Sequence, residues 1–207
     1  MNNIAINIDA SLELIFPTPI VKATLPLDAQ DILESYYAPH IPTTKMGHVT
    51  KQNDEEQKTD YGSQRRYDLH PIINDALRQL GSGIIDTLLT PEHKANVRPE
   101  DYEISYWMQD YSKGEHHTVH NHNDAIVSGI YILRSNDLGE PLTLMHPDPV
   151  KSYTSTHDIW YKLPPTRGAL YLWPGWLNHF VSPQKDDHVI RTTMVFNIGR
   201  FPLLEEN

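Results

Sequence analysis

The segment HHTVHNHNDAIVSGIYILR, residues 116–134, combines two β-type runs with a cluster of histidines. The second run, residues 126–134, is rich in the β-branched and aromatic residues that favour strands. In the first run, residues 118–122, a single residue separates His120 from His122. A strand would therefore point both imidazoles to the same face, close enough to share one metal ion. The segment predicts β-structure that carries a candidate metal site.

Further β-type runs flank this segment, with turn residues between them. They are residues 102–109, 141–146, 152–163, 168–174, 178–183 and 189–198. Together with the two runs above, they have the spacing of an antiparallel sandwich or barrel. Eight strands are also the number in a jelly roll, whose open mouth can hold a ligand. We therefore expect a mainly β fold with a jelly-roll (cupin-like) core and flanking helices.

The first hundred residues show mixed patterns. Residues 12–26 contain a short apolar strand interrupted by prolines, and residues 27–41 have helical spacing with Asp28 as a candidate N-cap. A polar loop is predicted over residues 42–68. A second helix is predicted within residues 70–89, with one apolar face made of Ile72, Ile73, Ala76, Leu80, Ile84 and Leu88. We expect a single domain over residues 1–207, with residues 1–100 as a strand and helix elaboration and 101–200 as the core.

The composition of the chain limits which partners and which metal ligands are expected. The chain has 207 residues and a formal net charge of −10, which disfavours attraction to nucleic acid or to an anionic membrane. It has no cysteine, so any metal must be bound by nitrogen and oxygen ligands. The N-terminus lacks a basic region before its apolar stretch, and no apolar run is long enough to span a bilayer. The sequence predicts a soluble, cytoplasmic protein that acts on a small ligand or a basic partner.

A third histidine and an arginine follow in later β-type runs. His179 ends the stretch GALYLWPGWLNH, and an antiparallel fold can bring its strand beside the one that carries His120 and His122. Arg191 lies among β-branched residues in the next run, VIRTTMVFN. A buried arginine needs a carboxylate partner, which is either a distant acidic residue or the carboxylate of a ligand. Thr193 points to the same side as Arg191 and offers it a neighbouring hydroxyl.

Other conspicuous side chains of this half are interpreted as structural. His116 and His117 are bystanders of the cluster, although His117 can face the same side as the metal ligands. Asp124 is interpreted as an acceptor that orients one of the imidazoles. Trp173 and Trp176 are expected to provide core and rim packing.

Four motifs, taken in order, carry a family resemblance. They are IFPTPI (residues 15–20), HNHNDAIVSGIYIL (120–133), GALYLWPGWLNHFVSP (168–183) and RTTMVFNIG (191–199). An H-x-H or H-x-D pair, a distal His, and an Arg followed at plus two by Ser or Thr resemble the Fe(II)- and 2-oxoglutarate-dependent oxygenases. The residues and spacing of these motifs resemble the motifs of a subgroup of 2-oxoglutarate-Fe(II) oxygenases from bacteria and phages. The resemblance covers most of the chain.

The resemblance implies a double-stranded β-helix with Fe(II) bound in its mouth by His120, His122 and His179. It implies that 2-oxoglutarate and O2 are cosubstrates, and that succinate and CO2 are released as an unactivated C–H bond is hydroxylated. The substrate would be a small molecule or a protein side chain, with no nucleic acid and no membrane involved. A homodimer is compatible with this prediction.

The same resemblance assigns the cosubstrate contacts. Arg191, with Thr193 beside it, would bind the far carboxylate of 2-oxoglutarate. The segment YSKG, residues 111–114, is similar to the YxxG that precedes the first ligand in prolyl-hydroxylase-like members. This similarity implies that the hydroxyl of Tyr111 contacts the cosubstrate.

Several alternatives stay open at the level of sequence. The metal pair is either His120-x-His122, which the spacing to the SG dipeptide favours, or His122-x-Asp124, which would restore a carboxylate ligand. Two alternatives to an oxygenase are a cupin-like metalloenzyme that needs no 2-oxoglutarate and a non-enzymatic β-sandwich whose histidines are structural. A cupin commonly adds a glutamate shortly after H-x-H, and no glutamate lies between His122 and Glu140.

Overall fold

A computed structural model describes residues 9–15, 18–41, 69–88, 102–111, 113–147 and 160–200. The loop predicted over residues 42–68 lies outside these ranges, as does the first part of the β-type run 152–163. Within them the chain begins with strands β1 (Asp9–Ile15) and β2 (Thr18–Thr24), followed by helices α1 (Leu27–Tyr37) and α2 (Pro71–Leu88). A short 3-10 turn, Ala38–His40, follows α1.

The described residues of the second half are mainly strands, and each predicted β-type run overlaps one of them. They are β3 (Ile104–Asp110), β4 (His117–His120), β5 (Ala125–Ser135), β6 (Leu142–Met145), β7 (Trp160–Leu163), β8 (Ala169–Pro174), β9 (His179–Val181) and β10 (Arg191–Arg200). Several bounds differ by a few residues, and one of these differences affects the site. Strand β4 ends at His120, so His122 lies in the following loop and not in the strand.

The strands form two antiparallel sheets. The larger has the order β1-β2-β8-β5-β10-β3, and the smaller has the order β4-β9-β6-β7. Apolar side chains from both sheets meet in one buried cluster, to which β5 contributes Ile130 and Ile132 and β6 contributes Leu142 and Leu144. The two sheets therefore face each other across a common interior, as in a double-stranded β-helix. The prediction of a mainly β, jelly-roll core with flanking helices is confirmed.

The helices cover the outer face of the larger sheet. Because side chains alternate along a strand, Val127, Tyr131 and Leu133 of β5 point away from the interior and pack in a second cluster with both helices. Helix α2 buries the predicted face together with Leu77 and Ile85, while Leu80 and Leu88 are only partly buried. No helix in the described ranges is long and apolar enough to cross a membrane.

Two features of the N-terminal region differ from the sequence expectation. Asp28 does not cap α1, because the helix begins at Leu27 and the N-cap position is occupied by Pro26 without a side-chain hydrogen bond. The hairpin of β1 and β2 also extends the larger sheet, since β2 pairs with β8. The first strands are thus continuous with the core sheet. The interior face of that sheet carries the candidate site.

Candidate metal centre

The three predicted metal ligands converge between the two sheets. His120 and His179 are directly paired in the β4–β9 ladder, and their ring centroids are 4.3 Å apart. The ring of His122 lies 5.3 Å from each of the other two rings. One coordinating atom from each histidine can be chosen so that all three lie within 4.8 Å of one another. The exposed Asp124 is not part of this cluster.

A glycine holds His122 in place beyond the end of β4. The backbone N–H of His122 donates to the carbonyl of Gly175 at 2.8 Å, and the N–H of Gly175 donates to the carbonyl of Ile126 at 3.0 Å. A Cβ at position 175 would clash with the carbonyl oxygen of Ala125 and would meet that of His122 at 2.7 Å. Only glycine permits this close approach of the two loops. The convergence of His122 on the other histidines thus depends on the turn after β8.

Backbone carbonyls set the tautomers of two of the imidazoles. Nδ1 of His120 donates to the carbonyl of Thr118 at 2.8 Å, and Nδ1 of His179 donates to the carbonyl of Leu177 at 2.9 Å. A carbonyl can only accept, so the proton sits on Nδ1 and the lone pair of Nε2 stays available. This is how metal-binding histidines are commonly oriented in proteins.

Burial keeps two of the histidines in the neutral form that binds metals. Burial first, and the neighbouring His120 second, lower the pKa of His122 to about 4, against an opposing effect of Asp124. The same two causes hold the pKa of the deeply buried His179 well below its ordinary value. A metal therefore meets little competition from protons at these two rings near neutral pH.

Aromatic residues of the larger sheet form the wall of the cluster. Trp107 stacks on His122 with ring centroids 5.9 Å apart, and Trp173 meets His179 edge to face at 5.2 Å. The prediction that Trp173 is a core residue is consistent with its burial, and Trp176 is exposed at the rim. The wall limits access of water to one side of the three rings.

His117 lies beside the cluster, on the side of the metal ligands, as the sequence allows. Its ring lies 5.3 Å from that of His120. Gln109 donates to its Nε2 at 2.8 Å, and its Nδ1 lies 3.3 Å from the hydroxyl of Tyr111. His116 instead makes a hydrogen bond from Nδ1 to the carbonyl of Gly114 at 3.2 Å.

Arg191 is a buried cation on the interior face, with a relative exposure of 2%. Its guanidinium donates to the carbonyl of Glu140 at 2.5 Å and to the hydroxyl of Thr193 at 3.3 Å. No carboxylate in the described part of the chain forms an ion pair with it, and the side chain of Glu140 pairs with Lys185. Since an unpaired buried charge is costly, this arrangement suits an anionic ligand.

Tyr111 connects the arginine to the histidine cluster. The Cζ atom of Arg191 lies 4.5 Å from the centroid of the Tyr111 ring, within the range of a cation–π contact. Burial raises the pKa of Tyr111 to about 12, so its hydroxyl keeps a proton that it can donate. The predicted cosubstrate residues Arg191, Thr193 and Tyr111 thus lie in mutual contact or close to it.

The donor set fits a divalent first-row metal. Three neutral imidazoles suit iron, zinc, copper or nickel, and the absence of cysteine removes the thiolate ligands. Gln109 and Trp107 lie outside the quoted motifs, and Gly175 lies within residues 168–183, but the sequence alone assigns none of the three to the site. Strand alternation would have found the first two, because they lie two and four residues before Tyr111 on the same face of β3.

A protein-family model matches the part of the chain that carries this site. Residues 105–197 match the family model described as "Putative 2OG-Fe(II) oxygenase". The matched range begins in β3 and ends in β10, so it includes all the residues of the site described above. No curated protein matches the chain.

Solved structures share the fold at low sequence identity. A prolyl-4-hydroxylase from Pseudomonas putida is 14% identical, with a TM-score of 0.53 and 88% of each chain covered. EvdO2 from Micromonospora carbonacea var. aurantiaca, complexed with 2-oxoglutarate, is 10% identical with a TM-score of 0.55, covering 90% of this chain and 89% of that one. HygX from Streptomyces hygroscopicus with iron bound is 9% identical with a TM-score of 0.52, covering 92% and 85%.

Proposed function

Because residues 105–197 match the family model of the 2OG-Fe(II) oxygenases, we propose that His120, His122 and His179 bind the iron and that Arg191 binds 2-oxoglutarate. Enzymes of this family are oxidoreductases that use Fe(II), 2-oxoglutarate and O2. When bound, the iron supplies the site at which cosubstrate and O2 react. The chain itself supplies the ligands, the anion site and an apolar interior beside them.

The observation that carries this proposal is the convergence of three imidazoles from separate segments. Their coordinating atoms lie within 4.8 Å of one another. Two of the rings have their Nδ1 proton directed to a backbone carbonyl, which leaves Nε2 for the metal. Preorganised ligands lose little conformational freedom on binding, which favours affinity. Three ligands also leave coordination positions for the cosubstrate and O2.

The assignment of 2-oxoglutarate to Arg191 is supported by charge and geometry. The planar guanidinium can grip a carboxylate with two parallel hydrogen bonds. Thr193 accepts from its Nε at 3.3 Å, which leaves the hydroxyl proton of Thr193 available for the same carboxylate. Tyr111, below the guanidinium, is a second hydroxyl donor that burial keeps protonated. Together they would hold one end of the cosubstrate while the iron holds the other.

We further propose a three-histidine site in place of the two-histidine, one-carboxylate set common in non-haem Fe(II) oxygenases. Support comes from His120, which pairs with His179 across the ladder, and from the exposed position of Asp124. Neutral ligands leave the full positive charge on the metal. Binding of the anionic cosubstrate would therefore be strengthened relative to a site with a carboxylate ligand.

The reaction we propose is hydroxylation of an unactivated C–H bond in a small molecule or a protein side chain, with release of succinate and CO2. One neighbour in fold is a prolyl-4-hydroxylase, which supports this class of reaction. A single domain over residues 1–207, a cytoplasmic location, a homodimer and the absence of nucleic-acid binding stay predictions from the sequence.

Replacement of Arg191 by methionine tests the proposal. We expect Arg191→Met to weaken 2-oxoglutarate binding by about 100-fold, because the buried charge pair is lost, while Fe(II) binding is retained. Arg134→Met is the matched control, because Arg134 lies on the opposite face of the same sheet and pairs with Glu34. Anaerobic calorimetric titration of 2-oxoglutarate into the Fe(II)-loaded chain measures the effect. Unchanged affinity in Arg191→Met would show that Arg191 does not bind the cosubstrate, whereas a wild-type chain that binds Fe(II) but not 2-oxoglutarate would favour a metalloenzyme that needs no 2-oxoglutarate.

A further inference from the structure

A buried glutamine, Gln184, lies in the loop between β9 and β10, close to the side chain of Arg191. Its relative exposure is 2%. A Cβ built at Gly139 would lie 3.3 Å from both Oε1 of Gln184 and Cδ of Arg191, so the two side chains approach each other at this glycine. An amide buried to this degree needs hydrogen-bond partners, because an unpaired buried polar group is costly. The partners of Gln184 show what the residue holds in place.

The side chain of Gln184 is connected to Arg191 through one residue. Its Oε1 accepts from the backbone N–H of Glu140 at 2.8 Å, and its Nε2 donates to the carbonyl of Ser182 at 3.3 Å. The carbonyl of the same Glu140 accepts from Nη1 of Arg191 at 2.5 Å. Glu140 is therefore held on one side by the glutamine and holds the guanidinium on the other.

The backbone of Gln184 is fixed independently of its side chain. Its N–H donates to the carbonyl of Glu115 at 3.0 Å, and its carbonyl accepts from the N–H of Gly114 at 2.8 Å. Both partners belong to the segment that follows Tyr111. A substitution at position 184 would leave these two backbone bonds possible, so it can remove the contact with Glu140 while the loop stays attached.

Two acceptors on different edges of the guanidinium define its plane. Thr193 accepts from Nε of Arg191 at 3.3 Å, and the carbonyl of Glu140 accepts from Nη1. A carboxylate binds a guanidinium in that plane, so its affinity depends on the plane being set in advance. Loss of the contact between Gln184 and Glu140 would leave only one of the two acceptors firmly placed.

We propose that Gln184 is a positioning residue for the cosubstrate: it holds the carbonyl of Glu140 in place and thereby orients the guanidinium of Arg191 toward the incoming carboxylate. The inference rests on the proposed function, because it takes Arg191 as the cosubstrate anchor. It predicts that Gln184 controls the affinity for 2-oxoglutarate without affecting the three histidines. A purely structural glutamine would affect only stability.

Replacement of Gln184 by methionine removes the amide at similar side-chain length. Gln30→Met is the matched control, because Gln30 is also buried and its Nε2 also donates to a backbone carbonyl, that of Leu25, but it lies in α1 in the helix layer. Anaerobic calorimetric titrations of each chain with Fe(II), and of the Fe(II)-loaded chain with 2-oxoglutarate, give the two affinities. The same titrations on Arg191→Met and on the double variant complete a double-mutant cycle.

We expect Gln184→Met to weaken 2-oxoglutarate binding by roughly tenfold, the effect of one lost hydrogen bond, with Fe(II) affinity unchanged. Gln30→Met should change neither affinity. In the Arg191→Met background, Gln184→Met should have no further effect on 2-oxoglutarate binding, because the glutamine acts through that guanidinium.

Unchanged 2-oxoglutarate affinity in Gln184→Met, an equal loss in the Arg191→Met background, or a matching fall in Fe(II) affinity would overturn the assignment. If Gln184→Met does not fold, Gln184→Asn takes its place in the cycle, because it keeps an amide that is one methylene too short to reach Glu140; the expected and the contradicting results are the same. A wild-type chain that binds Fe(II) but not 2-oxoglutarate would instead contradict the proposed function, so the two failures are distinguishable.

Discussion

The imidazoles of His120 and His179 are oriented by the backbone of their own segments. In each case the ring bonds to a carbonyl two residues earlier, Thr118 for His120 and Leu177 for His179. Such a local contact forms as soon as the segment folds and does not depend on a distant partner. The metal-binding nitrogens are consequently directed inward by the same strands that bring the rings together.

Replacement of single ligands distinguishes the two metal registers. We expect His120→Ala to weaken Fe(II) binding by about 100-fold or more, because one of three ligands is lost and no other side chain in the cluster replaces it. Asp124→Asn should leave Fe(II) affinity within about twofold, because that side chain is exposed and outside the cluster. Equilibrium dialysis under anaerobic conditions measures both. The reverse pattern would establish His122-x-Asp124 as the metal pair.

The partly buried carboxylate of Asp110 is expected to lower the stability of the fold near neutral pH. Burial raises the pKa of its carboxyl above the ordinary value of 3.8, although Thr192 donates to it at 2.5 Å. The folded state then binds a proton more tightly than the unfolded chain, so stability falls as pH rises through the window between 3.8 and the raised pKa, and the loss persists at pH 7. Asp110→Asn should raise the thermal midpoint at pH 7 by on the order of 1 to 3 °C.

The pH dependence checks this explanation. The midpoint advantage of Asp110→Asn should shrink when the pH is lowered toward 3.8, where the wild-type carboxyl is also protonated. Calorimetric scans of both proteins at the two pH values provide the comparison. A variant less stable than the wild type at pH 7 would show that the ionised carboxylate is a stabilising partner of Thr192 or Arg134.

At the scale of elements, the turn between β8 and β9 is the part that assembles the site. It carries Gly175, whose carbonyl accepts from the N–H of His122, and it leads directly into His179. Strand alternation predicts that His120 and His122 converge, and they do. However, only His120 lies in a strand, so alternation does not explain the position of His122. The second residue is placed by a contact with a distant turn, which a local pattern cannot contain. Asp28 is not the N-cap of α1, because the helix begins at Leu27 and Pro26 occupies the N-cap position.

The substitution Gly175→Ala, which adds one methyl group, tests whether this turn positions His122. Gly175→Ala would place a Cβ in a clash with the carbonyl oxygen of Ala125, so the loop that carries His122 must move. We expect Fe(II) affinity to fall by at least tenfold, together with a loss of stability of about 1 to 3 kcal/mol. Gly83→Ala is the control, because a Cβ there meets nothing within 4 Å in α2. That change should raise stability by about 0.5 to 1 kcal/mol without altering metal binding.

The effects of Gly175→Ala on stability and on metal binding are separated by denaturant unfolding followed by metal titration of the folded variants. A Gly175→Ala variant that folds and binds Fe(II) as tightly as the wild type would contradict the role given to the glycine.

At the scale of the whole molecule, the strand content is predictable and the arrangement of strands is not. Alternating apolar runs identify the eight strands that the described residues of the second half form, since each strand buries one side against a helix layer or the opposite sheet. The N-terminal hairpin joins the larger sheet through β2 and β8, which are far apart in sequence. Nothing local in residues 12–26 encodes that partner. The same limit applies to Arg191, whose lack of an acidic partner among the described residues appears only once the chain is folded.

The central claim is that three histidines and Arg191 form one site for Fe(II) and 2-oxoglutarate. It is tested most directly by adding 2-oxoglutarate to the Fe(II)-loaded chain without oxygen and recording the visible absorption spectrum. We predict a weak charge-transfer band that saturates at one equivalent of cosubstrate per chain, that is absent in His122→Ala, and that needs far more cosubstrate in Arg191→Met. A chain that binds Fe(II) but gives no band, and forms no succinate when air is admitted, would contradict the claim.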